Sequence, residues 1–127
     1  RYRVADLFLD THPYNAGTTA SDALRMGLPV LTLEGNSFNS REAASVISAL
    51  NLPELITTTK EEYESLAIEL ATNPAKLKII KDKLASNLST APLYNTKLFT
   101  KNLESAYTMM YDRYHQGLDP DHIYVKH

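Results

Sequence analysis

Short apolar runs alternate with turn-rich and amphipathic stretches in the first half of the chain, whereas the second half shows helical periodicity almost throughout. Residues 5–9 (ADLFL) form an apolar run closed by Asp10 and Thr11, then by the turn-rich His12-Pro13-Tyr14-Asn15-Ala16-Gly17. A run of that length ended by turn chemistry predicts a strand buried on both faces. Residues 18–26 place Ala20, Ala23, Leu24 and Met26 at helical spacing, with Gly27 as the residue just past the helix and Pro29 preventing continuation. Residues 29–33 (PVLTL) predict a second strand. Strand, helix and strand within about thirty residues make a βαβ unit, with parallel strands and a right-handed crossover.

Beyond the Gly35-Asn36-Ser37 loop, Asn39 and Glu42 have the spacing of a capping box, which predicts a helix over about residues 40–50. Residues 53–57 (PELIT) read as one more short strand. Thr59 and Glu62 repeat the capping spacing and open a helix through residue 71, and Asn73-Pro74 caps another over about residues 75–87. Asn95 or Thr96 caps the last and longest helix, ending near Gln116. Its apolar positions Phe99, Leu103, Ala106, Tyr107, Met110 and Tyr114 define one stripe expected to pack down, and Gly117 stops it before an irregular tail. The pattern is α/β over residues 1–57, a βαβ-type part, followed by a helical C-terminal part over residues 58–127.

A chain of 127 residues with 43% hydrophobic composition fits one domain able to bury a real core. A net charge of −2 gives no electrostatic reason to expect nucleic acid or an anionic membrane as partner. No apolar run approaches the ~18–20 residues of a membrane helix, and a cytoplasmic location is expected. The absence of cysteine excludes disulfides, thiolate zinc sites, Fe–S clusters and cysteine nucleophiles. Arg1-Tyr2-Arg3, without a methionine and directly before a strand-like run, reads as a cut through a larger domain.

Chemistry concentrates in residues 10–22, DTHPYNAGTTASD, where a parallel strand ends and a helix begins. Open α/β sheets bind ligands at the carboxyl ends of their strands. A helix start adds unpaired amides and about half a positive charge. Gly17 permits close approach of backbone to ligand, and Thr18 and Thr19 add hydroxyl donors, a combination suited to phosphate. Asp22, a turn further on, suits a ribose diol rather than a phosphate. The competing reading is purely structural: Thr19-Ala20-Ser21-Asp22 has capping-box spacing, worth ~1 kcal/mol of helix stability with no ligand. Neither GxGxxG nor GxxxxGK[ST] is present, so the residues by themselves leave both readings open.

The stretch ADLFLDTHPYNAGTTASDALRMGLPVLTLEGNSFNSREAASVISALNLPELI resembles the donor-binding half of the O-linked N-acetylglucosamine transferases, the tetratricopeptide-containing protein glycosyltransferases. So does APLYNTKLFTKNLESAYTMMYDRYHQGLDPDHI, and the pattern D-T-x-P-Y-N-x-G-T-T-x-x-D-A-L-x-M-G-x-P-V-x-T carries the match. The resemblance implies a GT-B fold, this chain being the C-terminal part of one Rossmann-like half with parallel strands and added C-terminal helices. It implies transfer of N-acetylglucosamine from UDP-GlcNAc to Ser/Thr hydroxyls of proteins, independent of metal and with no cofactor beyond the donor substrate. By the same resemblance Thr18 and Thr19 contact the diphosphate, Asp22 the ribose hydroxyls, and Arg1 lies beside the uracil. Gly17 falls where the animal enzymes carry a histidine and bacterial members often carry a small residue. The remaining donor contacts, the catalytic base and the surface for the acceptor protein belong upstream of Arg1, so the isolated chain is expected to be inactive. The alternatives are a non-catalytic interaction module and a related UDP-hexose transferase acting on asparagine.

Other candidates favour structural roles. His12 shapes the loop, Arg41 makes a surface ion pair, and the tyrosines Tyr107, Tyr111 and Tyr114 form a packing stripe. Lys76, Lys78, Lys81 and Lys83 belong to a solvated helix face, and Asp119, Asp121 and His122 to an irregular tail rather than a metal site.

Overall fold

The VLTL segment forms the central strand, β2 (Val30–Leu33), and all of its residues are buried. In the computed structural model, which describes residues 2–126, β2 lies between β1 (Phe8–Leu9) and β3 (Ile56–Thr57). Both pairings are parallel: Phe8 faces Val30 and Leu9 faces Leu31, while Thr32 faces Ile56 and Leu33 faces Thr57. Parallel neighbours require crossovers, supplied by α1 (Thr18–Arg25) and α2 (Glu42–Ala49). The α/β expectation therefore holds.

The helices cover β2 with apolar side chains. Ala20, Ala23 and Leu24 of α1 and Ala43, Ala44 and Ile47 of α2 are buried, and both helices contact β2 and each other. Small residues at these positions let helix backbones approach the sheet closely. Next comes α3 (Lys60–Thr72), which packs on β2 and β3. It is followed by α4 (Pro74–Leu88), whose Ile80 and Leu84 are buried and which contacts α3. The chain divides into two compact units, Arg1–Ala91 and Pro92–His127, so α3 and α4 belong with the sheet.

Local signals account for most boundaries. Gly27 ends α1 with φ +81°, a left-handed conformation that favours glycine. The Thr59/Glu62 capping box forms in both directions, and Asn73 accepts from the Lys76 amide at 3.1 Å. Glu62 is also reached by the Thr58 amide and hydroxyl, both at 3.0 Å. These bonds, led by the Thr58 amide, hold its carboxyl below the ordinary range. A carboxyl depressed in the folded state stabilises the fold above its unfolded pKa, and that contribution disappears as pH falls through the folded value. Glu62→Gln should therefore lower the melting temperature at neutral pH, and the gap to wild type should close on acidification. A gap that persists in acid would assign the effect to geometry instead of charge.

Several expectations fail, each for a tertiary reason. The first strand is shorter than residues 5–9 and is not buried on both faces: Leu9 is 54% exposed, because β1 is an edge of this sheet. Residues 53–57 form a 3-10 turn, Pro53–Leu55, before the two-residue β3. The Asn39/Glu42 capping box does not form. Arg41 precedes α2 with no side-chain cap. Ser40 is instead engaged by Ser37, whose amide donates to its Oγ at 3.0 Å, and the Asn39 carbonyl accepts from the Asn15 amide. Residues 39–41 are thus held in a turn, and the helix begins two residues too late for Asn39 to cap it.

In the second unit, α5 (Thr96–His115) is capped by Asn95, which accepts from the Leu98 amide at 3.0 Å. Its apolar stripe does not pack down: no α5 residue is buried, and Phe99 and Tyr114 are 64% and 77% exposed. Within this unit the helix has only the turn Pro92–Tyr94 and the tail beside it, too little surface to cover a stripe of that length. No described helix is long and apolar enough to cross a membrane.

Candidate functional site

The turn between β1 and α1 is organised around Asp10. This carboxylate is 7% exposed, and every bond it accepts fixes part of the loop. Oδ1 accepts from the amides of Thr11 at 2.9 Å and Ala16 at 2.8 Å, and Oδ2 accepts from the Thr32 hydroxyl at 2.7 Å. A carboxylate accepting from three donors, one of them the buried Thr32 hydroxyl, makes the strong kind of hydrogen bond, so the turn from residue 11 to residue 16 is clamped to the sheet. Thr11 Oγ1 donates to the Tyr14 carbonyl at 2.6 Å, and Asn15 Nδ2 donates to the Thr11 carbonyl at 2.8 Å. The His12–Pro13 peptide is cis. His12 Nδ1 lies 3.2 Å from the Leu33 carbonyl, in keeping with its loop-shaping reading.

A tie from far along the chain completes the clamp. Tyr63 of α3 donates its phenol to the Asp10 carbonyl at 2.8 Å. Burial, and secondarily the Asp10 charge, raise the Tyr63 pKa. A raised pKa means stability that is complete below the unfolded tyrosine value and lost as pH rises through the folded one. Tyr63→Phe should cost about 1 kcal/mol and flatten the alkaline limb of the stability profile. An unchanged alkaline limb in a chemical-denaturation series would contradict this.

The clamped loop delivers Gly17 as the residue preceding α1, with Thr18 and Thr19 as its first helical residues. Among the described residues no side chain caps this helix. The capping box of Thr19-Ala20-Ser21-Asp22 is not formed, because the helix begins two residues earlier than that box requires. Thr18 and Thr19 are exposed and line a cleft of about 530 Å³ together with Asp10, Asn15, Gly17 and Glu42. Asn15 is 1% exposed, and its Oδ1 is a buried acceptor with no partner. Buried polar atoms are nearly always satisfied, so an orphan in the wall of a cleft marks a place for a polar ligand atom or water.

Of the sequence-derived site residues, Gly17, Thr18 and Thr19 come together at this cleft. Asp22 does not line it, but it is exposed and stands four residues after Thr18, on the same helix face. A ligand lying along that face spans both. Arg1 lies outside the described residues. Sequence reasoning gave no site role to Asp10 or Asn15, although both stand inside the motif, and gave Glu42 only a capping one. Tyr63 has no local signal at all. Arg41 is 3.8 Å from Glu34, the surface ion pair expected of it. The lysines of α4 are paired too: Lys76 with Glu69, Lys78 with Asp82, Lys81 with Asp6 and Lys83 with Glu54. That helix is therefore no cationic stripe. Among the described residues no group of three or more His, Asp or Glu side chains is placed to hold a metal ion.

Parallel strands, a ligand-sized cleft at their carboxyl ends and an uncapped helix start facing it place the chain among the Rossmann-like α/β folds. Its residues 1–103 match the model of glycosyl transferase family 41. The chain belongs to that family. It is 35% identical over 123 residues to a UDP-N-acetylglucosamine–peptide N-acetylglucosaminyltransferase of Caenorhabditis elegans, covering 97% of this chain and 11% of the relative. A probable enzyme of the same description from Arabidopsis thaliana, SEC, is 37% identical over 123 residues (96% of this chain, 13% of the relative). The probable enzyme SPINDLY of Hordeum vulgare is 34% identical over 119 residues (94% and 13%). Among solved structures, a mutant O-GlcNAc transferase of Thermobaculum terrenum superposes with TM-score 0.78 at 37% identity, covering 86% of this chain and 21% of that one. The fold is thus that of a region of a GT-B transferase, and the chain spans 11–13% of the length of these sequence relatives.

Proposed function

We propose that this chain holds the UDP portion of a UDP-GlcNAc donor within a protein glycosyltransferase that modifies Ser/Thr hydroxyls. The observation that carries the reading is the uncapped start of α1, with Thr18 and Thr19 exposed at the cleft instead of spent on capping. In this arrangement the diphosphate lies against the first amides of α1 and the threonine hydroxyls. The orphan Asn15 Oδ1 accepts from a donor hydroxyl or a bound water, and Asp22 accepts from the ribose diol. Arg1 is assigned to the uracil on the resemblance alone.

During transfer, the bond between the sugar and the distal phosphate breaks and negative charge grows on UDP. Preorganised amides and hydroxyls at the helix end stabilise that charge without reorganising, a contribution to catalysis as well as to binding. The acceptor hydroxyl comes from the protein substrate and the group that takes its proton from another part of the enzyme, so the chain by itself should transfer no sugar. Titration calorimetry with UDP, uridine and inorganic diphosphate tests the binding claim. UDP should bind more tightly than either of its parts, because the site holds both ends. Equal affinity for UDP and diphosphate would remove Asp22 from the site.

A further inference from the structure

Of the charged side chains lining the cleft, Asp10 is consumed by its hydrogen bonds, and Glu42 is not. Glu42 is the first residue of α2, half-buried, and its carboxylate lies directly over Gly17: a Cβ built on Gly17 would overlap Glu42 Oε1. Among the described residues the carboxylate accepts no hydrogen bond and forms no ion pair, and it does not cap α1. A full negative charge therefore rests at the positive end of the helix that the donor diphosphate is proposed to use. Only a residue without a side chain at position 17 leaves room for it there.

Resting on the proposed donor site, we propose that Glu42 is an affinity-limiting residue that competes with bound phosphate for the start of α1. Its cost to a ligand scales with the charge the ligand places at the helix end. Inorganic diphosphate and a nucleoside diphosphate carry nearly the same charge at neutral pH and are penalised alike, but the nucleotide offsets the penalty through its ribose contact to Asp22. Uridine is not penalised. The carboxylate thus weakens the hold on any phosphate anion at this helix end and speeds the departure of UDP.

The test is titration of wild type, Glu42→Gln and Glu42→Asp with UDP, uridine and inorganic diphosphate at low and high salt. Glu42→Gln should bind diphosphate and UDP each about fivefold more tightly, with uridine unchanged. Glu42→Asp keeps the charge but draws it back from Gly17, and should fall between the two. The gaps should shrink at high salt. Unchanged affinities in Glu42→Gln, with UDP bound by both proteins, would overturn the inference and leave the donor site standing. Weaker UDP binding in that variant would also overturn it, by making Glu42 a donor contact. No binding of UDP or diphosphate to any of the proteins would overturn the donor site and this inference together.

Discussion

Asp10→Ala should lose about 3 kcal/mol of stability or more, the largest effect expected of any polar substitution in this chain. The carboxylate is nearly buried, and its removal strands the amides of Thr11 and Ala16 and the hydroxyl of Thr32. Each stranded donor carries its desolvation cost with nothing to offset it. Asp10→Asn should be milder: its carbonyl can still serve the amides while its NH₂ donates to Thr32 Oγ1. Urea denaturation of the three proteins checks this, with Asn expected between wild type and Ala. A loss below about 1 kcal/mol for the alanine variant would mean the turn is held by its own backbone conformation instead.

The second large effect is on ligand binding. Thr18→Val with Thr19→Val should weaken UDP binding at least tenfold, since each hydrogen bond to a charged oxygen is worth about 1.5–3 kcal/mol. Stability should change by no more than about 0.5 kcal/mol, because both residues are exposed and neither caps the helix. Asp22→Asn should weaken UDP by about 1–3 kcal/mol and leave inorganic diphosphate unaffected. The split matters more than either number. If melting temperature falls in step with affinity, the hydroxyls serve the helix and not a ligand.

What could be read from the sequence follows the range of the interactions concerned. The α1–Gly27–β2 segment, the Thr59/Glu62 box and the Asn73-Pro74 start depend on neighbours a few residues away, and all are found. The cleft's threonines were legible for the same reason, being fixed by their place at a strand-to-helix turn. The capping role of Asn39 failed because α2 begins only at Glu42, with residues 39–41 held in a turn whose Asn39 carbonyl accepts from Asn15, in a loop more than twenty residues earlier. Glu42 was misread by the same error: helical spacing suggested a cap, whereas tertiary packing sends the carboxylate over Gly17. Tyr63 reaches Asp10 across 53 residues, and no local pattern marks it. The stripe of α5 shows the converse limit. Periodicity announces an apolar face, but burial depends on a partner surface that periodicity does not specify.

The most direct measurement is a UDP titration followed by backbone amide shifts, with uridine and inorganic diphosphate as controls. The account predicts that residues 17–22 shift selectively with UDP, those nearest Gly17 also responding to diphosphate and those nearest Asp22 to uridine. Saturating shifts elsewhere in the chain with residues 17–22 unmoved would contradict it.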